Sequence, residues 1–113
     1  MREGFLVMIE QIIKRDGRTA PFELDKIANA IFGAAQSVGG QDYEMAHELA
    51  EQVEKELEKT VREKIPTVEQ IQDTVETVLI ESGHARTAKK YILYRNERTR
   101  VREMNTRLMK VYE

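Results

Sequence analysis

Lys14, Arg15, Arg18 and Lys26 put four cationic side chains around one tight turn and the helix predicted to follow it, within the stretch IIKRDGRTAPFELDKI from Ile12 to Ile27. Lys14 and Arg15 are neighbours, so on a strand they point to opposite faces, one across the sheet and one round its edge. Lys26 falls in the first turn of the predicted helix, where the macrodipole disfavours a cation and favours a bound anion. A polyphosphate answers both features. At about 4 Å and an effective dielectric near 20, one charge pair is worth on the order of 4 kcal/mol before desolvation. Two or three such contacts outweigh repulsion from a chain whose net charge is −2. The alternative is a cationic surface turn with Lys26 paired to Glu23 or Asp25. On the residues alone both readings stand.

A second group lies in AKKYILYRNERTR, where Tyr91, Arg95 and Arg98 recur at helical spacing and share a face. Tyr91 and Ile92 also suit a core position. Arg95 on an inward face needs an anion or a carboxylate. No arrangement of nucleophile, His and acid occurs, no zinc-ligand spacing and no GxxxxGK[ST] phosphate loop. The acid pairs of the middle segment have the spacing of a solvated helix face. The sequence offers no catalytic residue and no metal ligand.

These side chains need elements to position them. Met8–Lys14 and Arg18–Phe22 read as a β-hairpin around Asp16-Gly17, a type I′ signal, with Pro21 near the end of the returning strand. Leu24, Ile27, Ile31, Ala34, Ala35 and Val38 keep helical spacing up to Gly39-Gly40. Asp42 is the predicted N-cap of a second helix with Tyr43, Ala46, Ala50, Val53 and Leu57 inward. Val61–Ile65, stopped by Pro66, is expected as a third strand beside the hairpin. TVEQ, with Thr67 and Gln70 as a capping box, opens a third helix carrying Val68, Ile71, Val75, Val78 and Leu79 inward. A fourth helix runs from about Ala85 towards the end of the chain, with Ala88, Tyr91, Ile92 and Val101 among its apolar positions. The expected fold is a small α+β domain, helices capped by a short sheet.

Composition narrows the function. The 113 residues suit one domain, 41% hydrophobic and 34% charged, and the lack of any Cys excludes disulfides and thiol chemistry within the chain. His47 and His84 stand far apart. No apolar run approaches the roughly 20 residues that span a bilayer, and FLVMI is too brief for a signal peptide. A cytoplasmic protein with no membrane partner is expected. Residues 41–81 carry twelve acids against four bases, whereas 82–113 carry nine bases against three acids. That acidic middle and the net charge argue against a nucleic-acid partner.

IIKRDGRTAPFELDKIANAI, TVEQIQDTVETVLIES and AKKYILYRNERTRVRE together resemble the three signature segments of the ATP-cone, the nucleotide-binding regulatory domain of many ribonucleotide reductases. The likeness covers about residues 9–102, and YILYRNER and IQDTVE are most similar to anaerobic (class III) ribonucleoside-triphosphate reductases. It implies a four-helix bundle under a three-stranded β-cap with the nucleotide between them, and a domain at 1–102. Residues 103–113 would be a helical extension towards a downstream catalytic domain. By matched positions Lys14, Arg15 and Lys26 would hold phosphates. Ile12 and Ile27 would bracket the adenine, with Gly17 in the turn. Thr67 and Val68 would lie near ribose or phosphate, and Arg95 or Arg98 would close the site with Tyr91 against the ligand. The implied effectors are ATP, which keeps the reductase active, and dATP, which switches it off by changing how subunits or domains associate, each with Mg2+.

Two positions depart from the pattern. Ala20 stands where some members have an acid that reads the adenine amino group, and Gln72 where others have a His. Partners implied are adenine nucleotides, the catalytic domain of a parent reductase and, in a homo-oligomer, a further copy of the chain. A cone from a transcriptional repressor is the runner-up, but those carry a Cys-rich zinc ribbon before the cone. A degenerate cone acting as a helical interaction module is the third reading. An enzyme in its own right is least compatible, because reductase chemistry depends on cysteines.

Overall fold

Ile12 and Ala20 face each other across a hairpin of two short strands, β1 (Gln11–Ile13) and β2 (Thr19–Pro21), paired antiparallel. The structure, a computed structural model, describes residues 9–61 and 65–112. Met8, where the first strand was expected to begin, lies outside them.

The turn is one residue longer than the predicted type. Gly17 N–H donates to the Lys14 carbonyl at 2.9 Å, and Lys14 N–H to the Arg18 carbonyl at 2.7 Å. Arg15 and Asp16 therefore hold its centre, and Gly17 follows at φ +92°, the left-handed position of a three-residue hairpin loop. Asp16 favours this form by folding back on Arg18. It accepts from the Arg18 backbone N–H at 3.0 Å and from its Nε at 2.7 Å.

The expected third strand is reduced to a single contact. Val61 is the last residue of α2, residues 62–64 lie outside the described part, and Ile65 has no regular structure. Pairing with the free edge of β1 falls just beyond. Ile13 N–H donates to the Pro66 carbonyl at 2.9 Å, and an isolated parallel bridge joins Ile13 to Thr67. Pro66 has no N–H to offer, so it joins the sheet only through its carbonyl.

The helices are α1 (Leu24–Gln36), α2 (Tyr43–Val61), α3 (Val68–Glu81) and α4 (Ala85–Tyr112). Their starts follow the predicted caps. Asp42 Oδ1 accepts from Met45 N–H at 3.0 Å. Thr67 Oγ1 accepts from Gln70 N–H at 3.1 Å while Gln70 Oε1 accepts from Thr67 N–H at 2.9 Å, a complete capping box. Gly39 and Gly83 take positive φ just past the ends of α1 and α3. α4 passes position 102 without a break.

α1 packs on α2 and α4, and α3 packs on the same two, so the four apolar faces meet in one core. Ile31, Val53, Leu57, Val75 and Leu79 are its fully buried centre. Each large aliphatic side chain of that kind contributes about 1.5–3 kcal/mol by leaving water. Tyr43, expected inward, is instead exposed at the rim. Its ring meets Phe32 edge-on at 5.3 Å and its hydroxyl donates to Asn29 Oδ1. Among the α4 side chains described, those of residues 85–105, only Thr87, Ala88 and Tyr91 are buried; Ile92 is half-buried and Val101 exposed. The cause is length, since α4 has 28 residues and α3 only 14 to cover it. The inward stripe of α4 continues from Tyr91 as Arg95 and Thr99, both half-buried. It turns polar at the level of the hairpin.

Candidate functional site

Two adjoining clefts open where the hairpin meets the helices. The first, about 250 Å³, has an aliphatic and aromatic lining that includes Ile12, Phe22, Ile27 and Ile71, and a cationic rim of Lys14 and Lys26. The second, about 230 Å³, lies between the turn, α3 and α4 and is lined by Arg15, Arg95, Arg98, Thr99 and Arg102 among others. Ala30, Val68, Gln72 and Tyr91 belong to both, so the clefts share a wall. Either alone falls below the roughly 300–1,000 Å³ usual for a ligand site, and a ligand spanning both would not.

Lys14 and Arg15 do diverge, each into a different cleft. Among the described residues Lys14 pairs with no carboxylate. Lys26 lies 3.7 Å from Glu23 across one helical turn, with its side chain 78% exposed. A pair that loose and solvated contributes little and leaves the ammonium available. The cationic surface turn therefore describes Arg18 well, because Asp16 holds it. It covers Lys26 as well, whose expected pair with Glu23 is formed, and it leaves out Lys14.

The second cleft is rich in arginine and already partly neutralised. Arg15 Nη1 lies 2.6 Å from Glu69 Oε2, and its Nη2 donates to Gln72 Oε1 and Thr99 Oγ1, each at 3.3 Å. Arg95 Nη1 donates to Glu76 Oε2 at 2.5 Å and Asp73 Oδ1 at 3.0 Å. The carboxylate that its inward position required is thus supplied by α3. Burial works against its charge, but the hydrogen bonds to Glu76 and Asp73 prevail and its pKa is raised. Arg98 turns back on its own helix, donating to the Tyr94 hydroxyl at 2.9 Å with its guanidinium carbon 5.7 Å from the ring centre. Burial, with the Glu76 and Asp73 charges behind it, pushes the Tyr91 hydroxyl up to about 12, against the opposing pull of Arg95.

Of the residues singled out in the sequence, Ile12, Lys14, Lys26, Ile27, Val68 and Tyr91 gather in the first cleft. Arg15, Arg95 and Arg98 line the second. Gly17 and Thr67 line neither: Gly17 shapes the turn, and the Thr67 hydroxyl caps α3. Both departures from the family pattern line these clefts, Ala20 the first and Gln72 both. Phe22, Thr99 and Glu69 escaped sequence reasoning. Phe22 follows Pro21 directly, a signal that the aromatic lies just past the strand. Thr99 and Glu69 gave none. Among the described residues no group of three or more His, Cys, Asp or Glu side chains is placed to hold a metal ion, and no helix is long and apolar enough to cross a membrane.

Residues 10–100 match the family model described as ATP cone domain. The chain is 45% identical over 101 residues to the vitamin B12-dependent ribonucleoside-diphosphate reductase of Thermoplasma acidophilum, covering 85% of this chain and 13% of that protein. It is 37% identical over 102 residues to the anaerobic ribonucleoside-triphosphate reductase of Haemophilus influenzae, covering 90% and 14%. It is 38% identical over 96 residues to the ribonucleoside-diphosphate reductase subunit alpha of Treponema pallidum, covering 80% and 11%. The chain thus spans between 11% and 14% of the length of these relatives. The likeness reaches the anaerobic enzymes without singling them out.

Proposed function

Because this chain belongs to the ATP-cone domain family, we propose that it is the nucleotide-sensing regulatory domain of a ribonucleotide reductase, binding ATP or dATP as an allosteric effector. The observation that carries the reading is the convergence of Lys14 and Lys26 on one cleft lined by Ile12, Phe22 and Ile27. An aliphatic slot suits the flat faces of a purine, and two ammonium groups at its rim suit the phosphates that trail from it. The shared wall at Val68, Gln72 and Tyr91 lets the phosphate chain continue towards Arg15, Arg95 and Arg98. Mg2+ arrives with the nucleotide and is held by its phosphate oxygens, since carboxylates around the first cleft are few.

In this reading ATP leaves the parent enzyme active and dATP switches it off. That requires the two ligands to differ in free energy between two states of the domain, not merely to bind tightly. The partner in this reading is the catalytic domain of the parent reductase, in the cytoplasm, with a change in association as the output. The regulatory domain covers residues 1–102, with 103–113 leading towards that partner along α4. The fold in this reading is a four-helix bundle under a three-stranded cap, a reading that the isolated Ile13–Thr67 bridge supports.

The test is a thermal-shift comparison of the chain with ATP, dATP and GTP, each with Mg2+. Stabilisation by both adenine nucleotides, and a smaller effect from GTP, is expected. No shift with any of them would favour a degenerate cone that acts only as an interaction module.

A further inference from the structure

Arg15 leaves the turn that carries it and reaches two helices at once. Its Nη1 meets Glu69 Oε2 on α3 at 2.6 Å. Its Nη2 donates to Gln72 on α3 and to Thr99 on α4. One guanidinium therefore ties the hairpin to both helices. Glu69 lies in the first turn of α3, where the helix end attracts any anion, carboxylate or phosphate alike. A guanidinium fork that accepts a carboxylate accepts a phosphate in the same geometry.

We propose that Glu69 is an internal competitor for the effector's phosphates. An incoming nucleotide takes Arg15 away from Glu69, and in doing so it withdraws Arg15 from Thr99, so that occupancy of the cleft is passed to α4. This rests on the nucleotide-binding reading above. Both partners are partly open to water, with side chains 29% and 45% exposed. The contact is accordingly weak enough for a polyanion to open and strong enough to register. Linkage makes the device reciprocal: anything that holds α4 in its ligand-free position lowers nucleotide affinity by the same factor.

The experiment is a calorimetric titration of the chain with MgATP, beside Glu69→Gln and Thr99→Val, with circular dichroism to verify that each variant is folded. Removing the competitor should tighten ATP binding roughly two- to five-fold, the range of a partly exposed ion pair. Thr99→Val, which removes only the α4 arm, should tighten it by a smaller factor. Binding by Glu69→Gln alone, with none by the natural chain, would also support the proposal. Equal or weaker binding by Glu69→Gln, with normal binding by the natural chain, would overturn the proposal and leave the nucleotide site intact. No binding by any of the three would overturn both. Should Glu69→Gln fail to fold, Thr99→Val carries the same test, and unchanged or weaker ATP affinity there counts against the proposal.

Discussion

The Arg95 guanidinium lies 2.5 Å from Glu76 Oε2, with side chains only 18% and 22% exposed, and this pair fastens α4 to α3 beside the core tyrosine. Asp73 shares the same Nη1 at 3.0 Å. Truncating Arg95 strips the half-buried Glu76 of this partner, which costs more than the pair contributes net, whereas truncating Glu76 leaves Arg95 with Asp73. A double-mutant cycle with Arg95→Ala and Glu76→Ala should give a coupling energy of about 1–2 kcal/mol in urea unfolding. Strict additivity would mean that the contact is not formed in solution.

Tyr91 makes stability fall at alkaline pH. Its hydroxyl is raised to about 12 by burial, against about 10 in the unfolded chain. Between those values the unfolded state releases a proton that the folded state keeps, so this contribution, complete below pH 10, is lost as pH rises to 12. The slope is at most about 1.4 kcal/mol per pH unit. Urea midpoints at pH 9, 10 and 11 should fall more steeply for the natural chain than for Tyr91→Phe, and parallel profiles would refute it.

Thr67 joins two functions, capping α3 and standing at the bridge to β1. Thr67→Ala should cost about 1 kcal/mol through the lost cap, and Gln70→Ala less, because the Thr67 hydroxyl still satisfies one backbone donor. Equal losses would show that the two halves of the capping box act only together.

The helix frame was legible because its signals are local. Asp42, Thr67 with Gln70, and the Gly39 and Gly83 stops each act within one turn of chain, and each is found where expected. Lys14 and Arg15 diverge as expected but not through strand alternation, because β1 ends at Ile13 and Arg15 lies in the turn. Apart from the turn, where the contact is local, what failed depended on contacts distant in sequence. The Asp16–Arg18 contact lengthened the turn by competing with the two-residue form. The third strand was sought in an apolar run, while the edge of β1 met Pro66 and Thr67 by backbone groups that leave no mark on side-chain pattern. Arg95 was recognised as needing an anion, but that it meets Glu76 and Asp73 depends on how α3 and α4 slide against each other. The bond from Arg15 to Thr99 spans 84 residues, and nothing near either residue announces it.

Breaking α4 tests its role as the relay. Pro in a helix interior removes a hydrogen bond and costs about 3 kcal/mol. Thr99→Pro should leave ATP binding by the first cleft largely in place, because Lys14, Lys26, Ile12 and Ile27 lie elsewhere. In the parent reductase it should abolish dATP inhibition. Inhibition that persists unchanged would remove α4 from the pathway.

The central claim is that Lys14 and Lys26 exist to hold a nucleotide's phosphates. Calorimetric titration of the chain with MgATP and MgdATP, beside a Lys14→Ala/Lys26→Ala double variant, tests it most directly. The account predicts micromolar binding by the natural chain and a loss of at least tenfold in the variant, about 1.4 kcal/mol or more, with its thermal unfolding little changed. Equal affinity in both proteins would contradict it and put the phosphates elsewhere.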